Sequence, residues 1–217
     1  MPAKPQWHDR RAAGQHLARR LQRWHSDPQA IALGLPRGGV VVAAEVAQQL
    51  QIPLGSWAVR KLAHPSNPEL ALGAIAPGGI ELWEEPHALL DAQWRQHVLD
   101  QERLELQRRQ RLYGDPSLES LRQHHLLVID DGVATGLTVR AALQSLRQAK
   151  PKQLVLAVPV IDHQIAQHLR SQVSELVALQ EVEDLWAVGC WYERFDAVSD
   201  QQVLELLAQQ PQPPMRR

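Results

Sequence analysis

The chain has 217 residues, of which 44% are hydrophobic, and its 23 basic and 24 acidic side chains leave a formal net charge of -1. This length suits one α/β domain with elaborations, and the balanced charge excludes a field that would draw the whole molecule to nucleic acid or to an acidic membrane surface. The single cysteine, Cys190, permits no internal disulfide, and no apolar run approaches the roughly 18 residues of a spanning helix. The amino-terminal segment lacks the apolar centre of a signal peptide, so we expect a cytoplasmic protein.

The first half of the sequence predicts a helix, one βαβ unit and an interruption. In chain order, the predicted elements are a helix capped by Asp9 and running to about Trp24, a strand Ala30–Leu35, a helix Val40–Leu50, a strand Pro53–Arg60, a hairpin Leu70–Glu84 that turns at Pro77, Gly78 and Gly79, and a polar helix Pro86–Arg111. The hairpin and the polar helix interrupt the α/β alternation.

The alternation resumes in the second half. In chain order, the predicted elements are a strand His125–Ile129, a helix Thr138–Gln148, a strand Gln153–Val160, a helix His163–Gln172 and a strand Glu175–Leu179. Strands that alternate with helices indicate an α/β fold, with a mostly parallel twisted sheet covered by helices on both faces. Ligands of such sheets bind beyond the carboxyl ends of the strands.

The most informative segment follows the strand His125–Ile129 and reads "DDGVATGLT" (Asp130–Thr138). Small residues let the backbone approach a ligand closely, and their N–H groups, together with the positive end of the next helix, suit a phosphate monoester. The two carboxylates repel phosphate but accept hydrogen bonds from a ribose diol. The segment therefore indicates a sugar phosphate, against the simpler alternative of an acidic turn with a helix cap.

"LLVIDDGVATGLT" resembles the phosphoribosyl pyrophosphate (PRPP) signature of type I phosphoribosyltransferases. The resemblance implies that Asp130 and Asp131 bind the ribose hydroxyls. It also implies that the 5′-phosphate is held by a loop made of Gly132, Val133, Ala134, Thr135, Gly136, Leu137 and Thr138. It further implies Mg²⁺, which Asp130 and Asp131 would contact mostly through ribose and water.

Two further strand ends match the pattern of that family. "LPRGGV" places Pro36, Arg37, Gly38 and Gly39 where relatives have a pyrophosphate loop, which often contains a non-proline cis peptide; here it would be Pro36–Arg37. "VRKLAHPSNPELALGA" places Arg60 and Lys61 where relatives have basic residues that meet pyrophosphate. A tight strand-to-helix connection and a solvated basic strand end are the simpler readings of these two segments.

The acceptor of the ribosyl group is not specified by the sequence. In 6-oxopurine enzymes an aspartate acts as base four residues after the first acid, and Ala134 stands there, so the resemblance argues against a 6-oxopurine. Adenine-type relatives use an acidic residue of the flexible loop, or lid, that closes over the site. The resemblance therefore makes Glu69 the candidate catalytic acid or base, with His64 as an alternative. "WAVG" resembles the strand on which purines stack, so Trp186, with Trp191 and Tyr192, is a candidate for base binding.

We expect a single phosphoribosyltransferase domain over residues 1–210. Its predicted parts are a core (about 28–60 and 122–180), a lid (62–84), a hood formed by the N-terminal helix and residues 181–208, and a flexible tail (209–217). The order of the motifs over nearly the whole chain resembles a family of stand-alone bacterial phosphoribosyltransferase-domain proteins.

The expected partners are PRPP, a small base and a second copy of the chain in a homodimer, without a membrane and without nucleic acid. The rival hypothesis is a regulatory module of the same fold that senses PRPP or nucleotides and binds RNA or a protein. Five arginines on the predicted polar helix would serve such a surface if they formed one basic face: Arg95, Arg103, Arg108, Arg109 and Arg111.

Overall fold

The computed structural model describes residues 5–64, 67–84 and 92–214, without the side chains of residues 64 and 67–70. In chain order, its helices and strands are α1 (Arg10–Arg20), β1 (Ala30–Gly34), α2 (Gly38–Leu50), β2 (Leu54–Ser56), β3 (Arg60–His64), β4 (Asn67–Ala76), β5 (Ile80–Trp83), α3 (Ala92–Tyr113), β6 (His125–Ile129), α4 (Leu137–Arg147), β7 (Gln153–Asp162), α5 (His163–Arg170), β8 (Glu175–Val182) and α6 (Asp200–Ala208).

The main sheet has five parallel strands in the order β2-β1-β6-β7-β8. Successive residues of β6 face opposite sides, so Leu126 and Val128 enter the core below α4 while Leu127 and Ile129 enter the core below α1, α2 and α6. Burial of both faces accounts for the nearly uninterrupted apolar strands. The predicted α/β class with a mostly parallel sheet is confirmed.

The predicted strand Pro53–Arg60 is wrong in its extent. β2 ends at Ser56, and Arg60 begins β3 in a separate antiparallel sheet of three strands, β3-β4-β5. The chain leaves the main sheet because the carboxylate of Asp115 accepts hydrogen bonds from the Ser56 hydroxyl and, at 2.6 Å, from the Ala58 N–H. This pair of bonds substitutes for ladder partners at the strand end.

The small sheet contains the predicted hairpin, in which β4 pairs with β5 around the turn at residues 77–79. The sheet packs on α4, where the buried Ser145 Oγ donates to the Pro77 carbonyl at 2.5 Å. On its other side, α3 covers Leu62 and Ile75 with Leu99 and Leu106. Much of the segment predicted as a lid is thus buried core in the described residues.

Two segments that we expect to form the hood, around Trp7 and Tyr192, pair with each other. Trp7 and Tyr192 form a parallel bridge, and the Glu193 N–H donates to the Trp7 carbonyl at 2.9 Å. Both rings are buried with Ala13, Val160 and Leu185 in one apolar cluster. The N-terminal segment is therefore anchored directly over the carboxyl end of β7.

Residues 209–217 are predicted to form a flexible tail, but the described part of this segment packs against the edge of the main sheet. The Leu54 N–H on the open edge of β2 donates to the Pro211 carbonyl at 2.8 Å, and Pro213 is buried against Gly55. An edge strand has unpaired backbone groups, which explains why a polar, proline-bearing segment docks there. Within the described residues, no helix is long and apolar enough to cross a membrane.

Candidate functional site

The carboxyl ends of β1 and β6 lie side by side and bring two predicted loops together. The Leu35 N–H donates to the Ile129 carbonyl at 2.9 Å, which places "PRGG" next to "DDG". A Cβ added to Gly38 would lie 1.9 Å from Asp131 Oδ2, and one added to Gly39 would lie 2.8 Å from Asp130 Oδ1. Only glycine allows this approach, so the backbone of the predicted pyrophosphate loop touches both predicted ribose carboxylates.

Asp131 is held by a residue that the sequence analysis did not select. Arg10, at the start of α1, donates from Nε to Asp131 Oδ2 at 2.7 Å, and the two side chains are only 11% and 16% exposed. Burial raises the pKa of Asp131, and the Arg10 guanidinium opposes that rise. The ion pair therefore favours the carboxylate form that a ribose diol requires.

Asp130 accepts a hydrogen bond from the Asp131 N–H, at 2.9 Å to Oδ1. Burial and the neighbouring Asp131 carboxylate raise the pKa of Asp130 well above the usual value for an aspartate. The described residues contain no group of three or more His, Cys, Asp or Glu that could hold a metal ion. Asp130 and Asp131 are adjacent carboxylates that lie near one cation, Arg10. Carboxylate oxygens are ligands that a hard divalent ion prefers.

The predicted 5′-phosphate loop runs from β6 into α4. Val133 anchors it to β7, with the Val133 N–H donating to the Val160 carbonyl at 2.9 Å. Gly136 caps α4 at φ 74° and provides no side-chain hydrogen bond, so the first N–H groups of the helix have no side-chain cap. Thr135 is exposed beside this helix end. An uncapped helix start with an adjacent hydroxyl is a suitable site for a phosphate group.

Arg37 lies in the predicted pyrophosphate loop, and the Pro36–Arg37 peptide bond is cis. Its guanidinium is 3.5 Å from Asp200 Oδ1, measured from Nη1. Asp200 also accepts from the Tyr113 hydroxyl at 2.6 Å and lies 2.8 Å from Arg108 Nη2. The Tyr113 hydrogen bond, as the largest cause, and the contact with Arg108 lower the pKa of Asp200. Arg37 is thus balanced by an acid at the start of α6.

The remaining predicted pyrophosphate and catalytic residues are on the small sheet. Arg60 Nε lies 2.6 Å from Glu102 Oε2 on α3, so the Arg60 guanidinium forms an ion pair with that helix. Lys61 is half-buried on β3, where it pairs with Ala74. Glu69 belongs to β4, but its side chain lies outside the described part of the structure.

The three residues predicted to bind a base have different surroundings. The Trp186 side chain is 95% exposed. The Trp191 ring lies 6.4 Å from that of Trp7, within the apolar cluster of the hood. Tyr192 is buried, and its hydroxyl donates to the Asp131 carbonyl at 2.5 Å. Tyr192 therefore ties the hood to the acidic loop, while Trp186 makes no comparable contact with the site.

Phe195 is the aromatic residue that the sequence analysis passed over. The Cζ atom of Arg10 lies 3.7 Å from the centroid of its ring, and Arg10 Nη1 donates to the Asp196 carbonyl at 2.8 Å. Phe195 follows Tyr192 by three positions, so the sequence shows it next to two of the predicted base-binding residues. Nothing in the local pattern around Arg10 distinguishes it from the other arginines of α1.

Comparisons with known proteins identify the family to which the chain belongs. The family model described as "Phosphoribosyl transferase domain" matches residues 6–194. A protein named provisionally as a phosphoribosyl transferase in two strains of Mycobacterium tuberculosis is 39% identical over 203 residues, which are 92% of this chain and 46% of that protein. The chain thus spans about half the length of these curated relatives.

Solved structures give the same result for the fold. The crystal structure of TT1426 from Thermus thermophilus is 36% identical, with a TM-score of 0.73 over 95% of this chain and 99% of that one. A Neisseria gonorrhoeae protein with bound ppGpp, at 13% identity and a TM-score of 0.50, covers 96% of this chain and 98% of that one and is similar in fold alone. From its sequence match and its fold, the chain belongs to the phosphoribosyl transferase domain family.

Proposed function

We propose that the chain transfers the 5-phosphoribosyl group of PRPP to a nitrogenous base and releases pyrophosphate. Membership of the family supports this proposal. The observation that carries it is the contact of Gly38 and Gly39 with the carboxylates of Asp130 and Asp131. PRPP carries a diphosphate and a ribose diol on the same sugar. If the glycine loop binds the diphosphate and the two acids bind the diol, one PRPP molecule occupies both.

Each element has a defined part in the proposed reaction. The bond from ribose C1 to the diphosphate oxygen breaks, the oxygen keeps the electron pair, and a ring nitrogen of the base forms the new bond to C1 and loses its proton. The N–H groups at the start of α4 hold the 5′-phosphate, and Asp130 and Asp131 fix the ribose. Arg37 and Lys61 offset charge on the leaving diphosphate. Glu69 is the proposed partner for the proton.

Mg²⁺ is the proposed cofactor. Among the described residues, the carboxylate oxygens of Asp130 and Asp131 are the proposed protein groups for this ion, and burial together with the Asp131 charge raises the pKa of Asp130. A bound Mg²⁺ would neutralise diphosphate charge as a Lewis acid. Most of its ligands would be ribose, diphosphate and water oxygens, so the two acids would hold it mainly through those groups.

The regulatory alternative receives less support. Four of the five arginines on α3 contact an acid or an aromatic ring: Arg95 lies over Trp83, Arg103 pairs with Glu81, and Arg108 and Arg109 pair with Glu105. Such pairing leaves little of the continuous positive charge that binds RNA. The homodimer, a base other than a 6-oxopurine and the cytoplasmic location stay predictions.

The test is a calorimetric titration of wild type and Asp131→Asn with PRPP and Mg²⁺, followed by measurement of pyrophosphate release with purine, pyrimidine and pyridine bases. Loss of a hydrogen bond to a charged acceptor costs about 1.5–3 kcal/mol, so we expect Asp131→Asn to weaken PRPP binding by about 10- to 100-fold. Asp100→Asn, at an exposed carboxylate on α3, is the matched control and should behave as wild type. Equal PRPP affinity in wild type and Asp131→Asn would contradict the proposed site.

A further inference from the structure

Asp200, at the start of α6, is a carboxylate with three partners from two other parts of the fold. Its Oδ1 accepts from the Tyr113 hydroxyl at 2.6 Å, and its Oδ2 lies 2.8 Å from Arg108 Nη2. Arg37 Nη1 approaches Oδ1 at 3.5 Å from the predicted pyrophosphate loop. The capping box of Ser199 fixes the backbone at this point. Two side chains of α3 and the helix start therefore hold the carboxylate beside Arg37.

The contact between Arg37 and Asp200 is the weakest of the three. Within the described residues, Asp200 is the ion-pair partner of Arg37, and the Arg37 guanidinium donates no hydrogen bond. The two side chains are 41% and 30% exposed, so water also reaches the pair. A guanidinium has five N–H donors. Those of Arg37 therefore stay available to an anionic ligand.

Departure of Arg37 would leave Asp200 with its other partners. The Tyr113 hydroxyl and the Arg108 guanidinium satisfy both carboxylate oxygens without Arg37. The cost of breaking an ion pair is high when a buried charge is left unpaired, and that condition does not hold here. Arg37 can therefore exchange the carboxylate for another anion at low cost.

The proposed diphosphate site lies within reach of the Arg37 side chain. Arg37 occupies the position before Gly38, where α2 begins, and it provides no side-chain hydrogen bond to the first N–H groups of that helix. A diphosphate bound to those N–H groups would lie next to Arg37 in the chain. A change of rotamer can carry the guanidinium from α6 to this ligand. Asp200 and the diphosphate are thus alternative partners of one cation.

We propose that Asp200 is a positioning residue that competes with the diphosphate for Arg37. In the free protein Asp200 holds the guanidinium beside α6, and it takes the guanidinium back when pyrophosphate leaves. The inference rests on the proposed function, because it requires a diphosphate at the start of α2. Asp200 acts through Arg37 and does not touch the ligand. It therefore limits the affinity for pyrophosphate and favours release of this product.

The experiment compares ligands that differ in the diphosphate. Calorimetric titrations with Mg²⁺ measure the binding of PRPP, pyrophosphate and ribose 5-phosphate to wild type and to Asp200→Asn. The asparagine keeps the shape of the side chain and an oxygen for the Tyr113 hydroxyl, but it removes the charge that attracts Arg37. We expect PRPP and pyrophosphate to bind about three- to fivefold more tightly. Ribose 5-phosphate has no diphosphate, so its affinity should stay within about 1.5-fold of wild type.

Two further variants separate competition for Arg37 from a general effect of charge. Glu205→Gln removes the same charge from an exposed position of α6, and it should match wild type for all three ligands. In Arg37→Met the cation is absent, so adding Asp200→Asn should no longer change the affinity for PRPP.

Three results would overturn the inference. They are an unchanged or weaker affinity of Asp200→Asn for both PRPP and pyrophosphate, an equal gain for ribose 5-phosphate, and a gain that persists in Arg37→Met. Failure of the wild-type chain to bind PRPP would instead overturn the proposed function itself.

Discussion

Gly38 is the residue at which the two halves of the candidate site come closest. The backbone on one side carries the proposed diphosphate loop, and the carboxylate of Asp131 stands on the other. No side-chain atom of this residue separates the loop backbone from the carboxylate. The site therefore depends on a missing Cβ as much as on the charged groups around it.

Gly38→Ala should damage this arrangement. The added Cβ would lie 1.9 Å from Asp131 Oδ2 and 2.9 Å from Arg10 Nε, so the carboxylate or the loop must shift. Overpacking of this kind costs about 1–3 kcal/mol, and we expect PRPP affinity to fall at least tenfold with a lower melting temperature. Calorimetry and thermal unfolding measure the two effects. Gln48→Ala, on the exposed face of the same helix, is the control, and wild-type affinity in Gly38→Ala would contradict the assignment.

The motif residues were predictable because their chemistry is local in sequence. Paired acids, small residues and a helix start follow one another over Asp130–Thr138, and the structure brings them into one loop. Arg10 was not predictable, since its partner Asp131 is 121 positions away and no periodic pattern marks the contact. Aromatic residues of the hood were visible in the sequence, but tertiary packing decides which of them lies near the acidic loop; it places Phe195 against Arg10 and leaves Trp186 exposed.

At the scale of elements, Asp115 determines where the main sheet ends and the small sheet begins. Its carboxylate follows α3 and accepts hydrogen bonds from Ser56 and Ala58 at the end of β2. Burial raises its pKa to about 6, although these hydrogen bonds oppose the rise. The sequence did not reveal this break, because residues 53–60 read as one continuous apolar strand.

The pKa of Asp115 predicts a pH-dependent stability. Because the pKa is about 6 in the folded chain and near 3.8 when unfolded, the folded state binds the proton more tightly. This contribution is complete below pH 4 and is lost as the pH rises through 6, by about 3 kcal/mol. Asp115→Asn mimics the protonated form, so the unfolding free energy of wild type minus that of the variant should fall by that amount from pH 4 to pH 7.

Urea unfolding at several pH values measures the difference between Asp115→Asn and wild type. Asp184→Asn, at an exposed carboxylate, is the control and should show no such trend. A constant difference between wild type and Asp115→Asn across pH 4–7 would mean that Asp115 does not titrate in this window.

At the scale of the whole molecule, the site is assembled from parts that are distant in sequence. The hood joins the segment at Trp7 to that at Tyr192, and Asp200 joins the loop of Arg37 to α3 and α6. The order of strands and helices was predictable from periodicity, because each buried strand reads as an apolar run. The closure of the chain ends over the site was predicted only through the resemblance, since these contacts are set by tertiary packing.

The most direct test of the central claim is a calorimetric titration of the wild-type chain with PRPP in the presence of Mg²⁺. We expect one site per chain, with binding that weakens about 10- to 100-fold in Asp131→Asn and is unchanged in Asp100→Asn. Absence of PRPP binding to the folded wild-type chain, or binding that is indifferent to Asp131, would contradict the account.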